Sequence, residues 1–104
     1  MGRRIEVLPK ADQDVDDHFT YIAADHFDAA VRFLHAARDA FRKLSDMPGM
    51  GAATDFEHPS LKSLRFWPIK GFENFLVFYR DDGAQISIVR VIHGARDLER
   101  ALLR

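Results

Sequence analysis

The sequence contains no cysteine among its 104 residues. This excludes a disulfide framework and a metal site built on thiolates, and it is compatible with a reducing compartment. No apolar run approaches the roughly 18 residues that a membrane-spanning helix needs. The first residues, MGRRIEVLPKADQD, lack the apolar segment of a secretory signal peptide. These absences predict a cytoplasmic protein with no membrane segment.

Long runs of like charge, internal repeats and low-complexity segments are also missing from the sequence. What is present is a chain that is 47% hydrophobic and 12% aromatic, which is enough to build a core. With 30% charged residues and no biased tract, an intrinsically disordered chain is not expected. The length is that of one compact domain, so we expect residues 1–104 to form a single domain.

Charge is nearly balanced overall but is unevenly distributed along the chain. The net charge is -1, with -4 in residues 1–31, zero in residues 32–58 and +3 in residues 59–104. A basic C-terminal part favours an acidic partner there, although ordinary solvated surface explains the same distribution.

The N-terminal half has the periodicity of one short strand followed by two helices. Residues 4–8 alternate between polar and apolar, and Pro9 is expected to end that strand. Apolar residues then recur at helical spacing over about residues 10–24 and again over about residues 28–46. So short a connection between the two segments predicts an antiparallel helical hairpin.

Four aspartates lie near the start of the first helix, where the helix dipole favours negative charge. They are Asp12, Asp14, Asp16 and Asp17. The segment lacks the glycine and the distal glutamate of a calcium loop. We therefore expect no metal ion, and no sequence motif indicates a cofactor.

The last third of the chain reads as three strands and a short helix. Residues 75–79 form an unbroken apolar run, typical of a central strand that is buried on both faces. The turn signal Asp81-Asp82-Gly83 separates this run from residues 86–92, which are rich in β-branched side chains. Before them, LKSLRFWPI is an earlier strand in which Pro68 indicates an edge position or the strand end.

The segment MPGMGAATDFEHPS, residues 47–60, is expected to be a loop between the helices and the strands. The order of elements is then strand, helix, helix, three strands and a terminal helix. Consecutive strands joined by short links favour antiparallel pairing. We predict an α+β fold of two layers, with the helical hairpin packed on a mainly antiparallel sheet.

The element order and two phrases resemble the ParE/RelE superfamily of toxins from bacterial type II toxin–antitoxin systems. The phrases are YIAADHFDAAVRFLHAARDAFRKLSDMPGMG and LVFYRDDGAQISIVRVIHGARDLERAL, and the most specific pieces are residues 78–80 and 88–97. The resemblance covers nearly the whole chain. It implies a small toxin that is neutralised by an antitoxin encoded beside it.

The superfamily contains two activities, and the residues help to weigh them. RelE-like toxins cleave mRNA on the ribosome and need groups that move protons and stabilise charge on the phosphate. Arg96 matches the arginine that such toxins carry after the last strand. Apolar residues stand near two other expected polar positions, at Phe75 and Leu102. His93 is a candidate base, or a histidine that fixes the strand-to-helix corner by hydrogen bonds.

ParE-like toxins instead inhibit DNA gyrase and have no established catalytic residues. The apolar residues Phe75 and Leu102, near positions that are polar in RelE-like toxins, therefore favour gyrase inhibition. A RelE-like ribosome-dependent mRNA endoribonuclease, with His93 and Arg96 as its weak catalytic candidates, is the alternative. We expect a ParD-like ribbon-helix-helix antitoxin as partner and no direct reading of DNA sequence. The residues expected to bind that partner are Lys62, Arg65, Trp67, Arg80 and Arg90, although core burial is an equal interpretation for Trp67.

Overall fold

The computed structural model describes residues 2–95 and 97–104. Its helices and strands are, in chain order, β1 (Arg4–Val7), α1 (Pro9–Asp25), α2 (Phe27–Asp46), β2 (Ala52–Ala53), β3 (Arg65–Ile69), β4 (Phe72–Asp81), β5 (Gln85–His93) and α3 (Leu98–Leu102). Two single 3-10 turns, Pro48–Met50 and Pro59–Leu61, flank β2. The predicted α+β fold and its order of elements are confirmed.

The five strands form one mixed sheet in the order β1-β5-β4-β3-β2. Strand β1 runs parallel to β5, and the other three pairs are antiparallel. The parallel pair follows from the helical hairpin, which carries the chain away from β1 before the antiparallel strands begin. The positive φ angles of Gly71 (85°) and Gly83 (93°) belong to the tight turns that join β3 to β4 and β4 to β5.

The segment expected to be a loop, residues 47–60, contains structure that its sequence did not indicate. Ala52 and Ala53 pair with Phe66 and Arg65, and so they form the outermost strand of the sheet. Beyond Phe66, no strand of the described residues lies on that side of β3. Pro68 is accommodated there and does not end the strand, since β3 runs on to Ile69.

The larger core lies between the helical hairpin and one face of the sheet. Phe33 and Ala37 of α2 and Val77 and Tyr79 of β4 have no exposed surface. Phe78 points to the opposite face and is 1% exposed. Three consecutive buried side chains confirm that β4 is buried on both faces at its centre.

A smaller apolar cluster covers the second face of the sheet. Leu61 and Leu64 from the chain before β3, with Ala101 of α3, pack around Phe78 and Ile92. No long helix contributes to this cluster. The second face is consequently covered by short segments, and part of its apolar surface is left open as a groove.

Two side chains of α1 complete the edge of β5 where β1 has ended. Strand β1 pairs with β5 only as far as Ile88. Farther along, the Val91 N–H donates to Oδ2 of Asp14 at 2.9 Å, and Nε2 of His18 donates to the Val91 carbonyl at 2.8 Å. Asp14 and His18 stand four residues apart and therefore share one face of α1. They form the hydrogen bonds to the Val91 N–H and carbonyl that a longer β1 would otherwise form.

The Tyr79 hydroxyl anchors the turn that follows α2. It donates to the Pro48 carbonyl at 2.6 Å and accepts a hydrogen bond from the Gly51 N–H at 2.9 Å. Burial raises the pKa of the Tyr79 phenol above its ordinary value of about 10, although the Gly51 N–H and the nearby Arg65 act in the opposite direction. The neutral hydroxyl is therefore the form that the folded chain favours.

This hydroxyl predicts a loss of stability in alkaline solution. A pKa that is raised in the folded state contributes stability that is complete below about pH 10 and is lost as the pH rises above that value. Tyr79→Phe should remove this part of the pH dependence, and at neutral pH it should cost about 1–3 kcal/mol because the Gly51 N–H loses its partner. Urea unfolding at a series of pH values from 8 to about 11 measures both effects.

The matched control is Tyr21→Phe, because Tyr21 is 79% exposed and is the only other tyrosine. It should keep the wild-type stability at neutral pH and the wild-type loss above pH 10. An unchanged alkaline loss in Tyr79→Phe would show that Tyr79 is not its source.

Candidate partner-binding surfaces

The structure does not bring the five predicted partner-binding residues together. Arg65 and Trp67 lie on the side of β3 that faces the helices. Lys62 and Arg80 lie near the turn that precedes β3. Arg90 lies on β5, next to α1 and α3. A single partner could contact all five only by wrapping around the molecule.

Arg90 is engaged within the chain and does not present a free charge. Its Nε and Nη2 donate to the two carboxylate oxygens of Asp14 at 2.7 and 2.9 Å, and its Nη1 donates to the Ala101 carbonyl at 2.9 Å. The hydrogen bonds to Asp14 raise the pKa of the guanidinium above its ordinary value, against the effect of burial. Both side chains are at most 15% exposed. Arg90 therefore links α1, β5 and α3, which differs from the partner-binding role expected from the sequence.

Arg80 holds the turn before β3 and leaves part of its surface open. Its Nε donates to the Ser63 hydroxyl at 2.9 Å, and its Nη2 donates to the Ser60 carbonyl at 2.6 Å. Lys62 is exposed in the same turn. Two positive charges are thus held close to one short segment, where an acidic partner would meet both.

Arg65 stabilises the turn after α2 through a hydrogen bond to Gly51. Its Nη1 donates to the Gly51 carbonyl at 2.6 Å, while the Gly51 N–H donates to Tyr79. The side chain is half-buried. Arg65 therefore has a structural contact within the chain.

The second face of the sheet carries an apolar groove of about 220 Å³. It is lined by Ala53, Thr54, Asp55, Phe56, Phe66, Leu76, Phe78 and Leu98. Strands β3 and β4 form its floor, and α3 and the segment after β2 form its walls. A cleft that is mostly apolar with few polar groups fits an apolar side chain of a partner better than a charged substrate.

Of the two catalytic candidates, only His93 lies among the residues that the structure describes. Nδ1 of His93 accepts a hydrogen bond from the Ala95 N–H at 3.1 Å, and the ring packs edge-on against Phe75. This geometry fits a histidine that fixes the corner after β5. Arg96 lies outside the described residues. Phe75 and Leu102 pack against the two apolar clusters and have no group that transfers a proton.

The described part of the chain holds neither a cluster of metal-binding side chains nor a membrane-spanning helix. Within residues 2–95 and 97–104, no three side chains of the metal-binding types are grouped so that they could hold an ion. In the same part of the chain, no helix has the length and apolar composition to cross a membrane. Asp12, Asp16, Asp17 and Asp25 of α1 are exposed, and Asp14 is ion-paired with Arg90.

Sequence reasoning missed Asp14, His18 and Tyr79 as residues that hold the fold together. Asp14 and Arg90 are 76 residues apart, so periodicity within one element carries no information about their contact. The i, i+4 spacing of Asp14 and His18 was visible, but it indicates only a shared helix face. The groove was also missed, because the segment that forms one of its walls follows β2, a strand that was not predicted.

Comparison with known proteins places the chain in a family. The family model of the ParE toxin of the type II toxin–antitoxin system, parDE, matches residues 5–98. No curated protein sequence matches the chain significantly. A solved structure described as the chromosomal ParDE toxin–antitoxin system from P. aeruginosa has a similar fold, with a TM-score of 0.72 and 18% identity over 88% of this chain and 95% of that chain. Because the family model spans nearly all the residues described above, this chain belongs to the ParE family of toxins of type II toxin–antitoxin systems.

Proposed function

We propose that this ParE-family toxin inhibits DNA gyrase and that a ParD-like ribbon-helix-helix antitoxin neutralises it. The observation that carries the proposal is the family match over residues 5–98. In this proposal residues 1–104 act as one toxin domain in the cytoplasm. The toxin acts by binding and needs no cofactor, and the antitoxin, not the toxin, reads the sequence of operator DNA.

The surfaces support a partner that folds on the toxin as it binds. An amphipathic helix can lay apolar side chains into the groove, against the aromatic and aliphatic side chains of Phe66, Leu76 and Phe78. Lys62 and Arg80 provide positive charge at the turn before β3 for acidic side chains of the same segment. Binding of this kind covers a large surface with a short chain.

The ribonuclease alternative has less support from the side chains. Its proton transfers need a base and an acid on opposite sides of the scissile phosphate. Of the two candidates, His93 has one ring nitrogen occupied by the Ala95 N–H. Phe75 and Leu102 stand where RelE-like toxins carry polar groups, and they pack against apolar clusters. Gyrase inhibition requires no such set of groups, and so it is the function that we propose.

Expression in bacteria under a tight promoter tests the proposal in a cell. We expect induction to arrest growth, with filamentous cells and a DNA-damage response, because a trapped gyrase leaves broken DNA. Co-expression of the adjacent antitoxin should restore growth, and induction of the antitoxin alone is the control. Arrest with cut mRNAs and halted translation, and without DNA damage, would favour the ribonuclease alternative instead.

A further inference from the structure

A hollow of about 190 Å³ lies between α1 and α2, beside β1 and in the helical layer of the molecule. It is lined by Val7, Asp12, Val15, Asp16, Leu34, Ala37, Arg38 and Phe41. Val15, Ala37 and Phe41 belong to the larger core, and Leu34 packs against it. The larger core therefore approaches the surface at this point, and we refer to the depression as the α1–α2 hollow.

Strand β1 places two exposed apolar side chains at the edge of this hollow. Ile5 and Val7 are 42% and 37% exposed. They stand opposite Ile86 and Ile88, which lie in the larger core, and so they point to the helical side of the sheet. The helices leave this side of β1 only partly covered. An apolar projection and an apolar hollow therefore lie side by side on one surface.

The rims of the hollow carry opposite charges. Asp12 and Asp16 stand four residues apart on one face of α1, and Arg38 stands on α2. All three side chains are exposed, and none takes part in the ion pairs found among the described residues. A two-fold rotation can bring the negative rim of one copy onto the positive rim of another. The surface is thus complementary to itself in charge as well as in shape.

Extension of the sheet across β1 is not the expected mode of contact. The Arg3 N–H donates to the Ser45 carbonyl at 2.9 Å, and the Arg3 carbonyl accepts a hydrogen bond from the Ser45 hydroxyl. The end of α2 therefore covers the outer edge of the chain where β1 begins. Because β1 itself has only four residues, side-chain packing is favoured over pairing of strands.

We propose that two copies of this chain associate through their α1–α2 hollows in a two-fold symmetric contact. Ile5 of each copy packs into the hollow of the other, and Asp12 and Asp16 of each copy meet Arg38 of the other. A partner of a single charge would match only one rim, whereas a second copy matches both. The hollow is small, so we expect a dissociation constant in the micromolar range. The inference requires neither gyrase nor the antitoxin and goes beyond the proposed function.

Sedimentation velocity of the purified, antitoxin-free chain over a range of micromolar concentrations measures the association. Two charge-reversal variants test its geometry, Asp12→Lys/Asp16→Lys and Arg38→Glu. Each places like charges opposite one another across the two-fold axis, so the dissociation constant should rise about tenfold or more in each variant alone. An equimolar mixture of the two should regain wild-type association. In the mixed dimer the introduced lysines meet the introduced glutamate, and the native charges meet one another.

The matched controls reverse exposed charges on the same helices outside the hollow. They are Asp25→Lys/Asp28→Lys and Arg32→Glu. Their dissociation constants should stay within about twofold of wild type, and mixing them should have no effect. For the apolar contact, Ile5→Ala should weaken association about fivefold. Phe27→Ala removes another exposed apolar side chain, 62% exposed at the start of α2, and should leave association unchanged.

The outcomes decide the proposal without reference to gyrase or the antitoxin. A monomer at every concentration would overturn it. Dimers that persist in both hollow variants would also overturn it, because another surface would then be responsible. Loss in both variants without recovery in the mixture would do the same, provided that circular dichroism and thermal unfolding show both to be folded. Loss in each variant alone with recovery on mixing is the expected result.

Discussion

Asp14→Ala is expected to lower the free energy of unfolding by about 3 kcal/mol, because it leaves a partly buried charge without its partner. The substitution removes both carboxylate contacts to Arg90 and the acceptor of the Val91 N–H. Arg90 is only 15% exposed and cannot recover these interactions fully from water. For a domain of this size the melting temperature should fall by roughly 10–20 °C.

The control for this result is Asp39→Ala, which removes the exposed aspartate–arginine pair within α2. Asp39 and Arg42 are 65% and 73% exposed, and so the change should stay within about 0.5 kcal/mol of wild type. A double-mutant cycle with Asp14→Ala and Arg90→Ala isolates the coupling between the two residues. Equal effects of Asp14→Ala and Asp39→Ala on urea unfolding would contradict the role assigned to Asp14.

The second large effect is expected for Gly51→Ala, again as a loss of about 3 kcal/mol or slightly less. A Cβ at residue 51 would lie 2.6 Å from a ring carbon of Tyr79, 2.9 Å from the Phe66 carbonyl oxygen and closer still to the Tyr79 hydroxyl. Tyr79 has no exposed surface and cannot move aside. The added methyl must therefore displace either the turn after α2 or the ring, and both disrupt the hydrogen bonds at the hydroxyl.

Gly49→Ala, two residues earlier in the same turn, provides the comparison. A Cβ at residue 49 would meet nothing within 4 Å, and the φ angle is not positive there. This substitution should be neutral, or should stabilise by a few tenths of a kcal/mol because it restricts the unfolded chain. The measurement is thermal and urea unfolding of both variants. If both glycines tolerated alanine equally, the close packing of the turn on Tyr79 would be disproved.

The elements with strong local patterns were predictable from the sequence. The spacing of apolar residues located α1 and α2, and the apolar run and β-branched residues located β4 and β5. Strand β2 was not predictable, because two alanines carry no strand signal and depend on pairing with Phe66 and Arg65. Strand β4 begins at Phe72, earlier than the run of residues 75–79 indicated, because its first residues are partly exposed and polar.

The candidate site was harder to predict, since it depends on contacts between distant parts of the chain. Arg90 has the chemistry of a partner-binding residue, but the fold brings Asp14 to it. Trp67 is the opposite case: its residue type left core and interface equally open, and the structure leaves its ring half-buried in a cleft with two lysines. In both cases the neighbours across the fold, not the residue type, determine whether the side chain is available.

Gyrase-mediated supercoiling of relaxed plasmid DNA, with purified antitoxin-free protein, tests the central claim most directly. We expect inhibition of supercoiling together with trapped cleavage complexes, and we expect prior mixing with the antitoxin to abolish both. The sample must first be shown to be folded and to bind its antitoxin. Normal supercoiling with such a sample would contradict the proposed gyrase target and direct the search to ribosome-dependent mRNA cleavage.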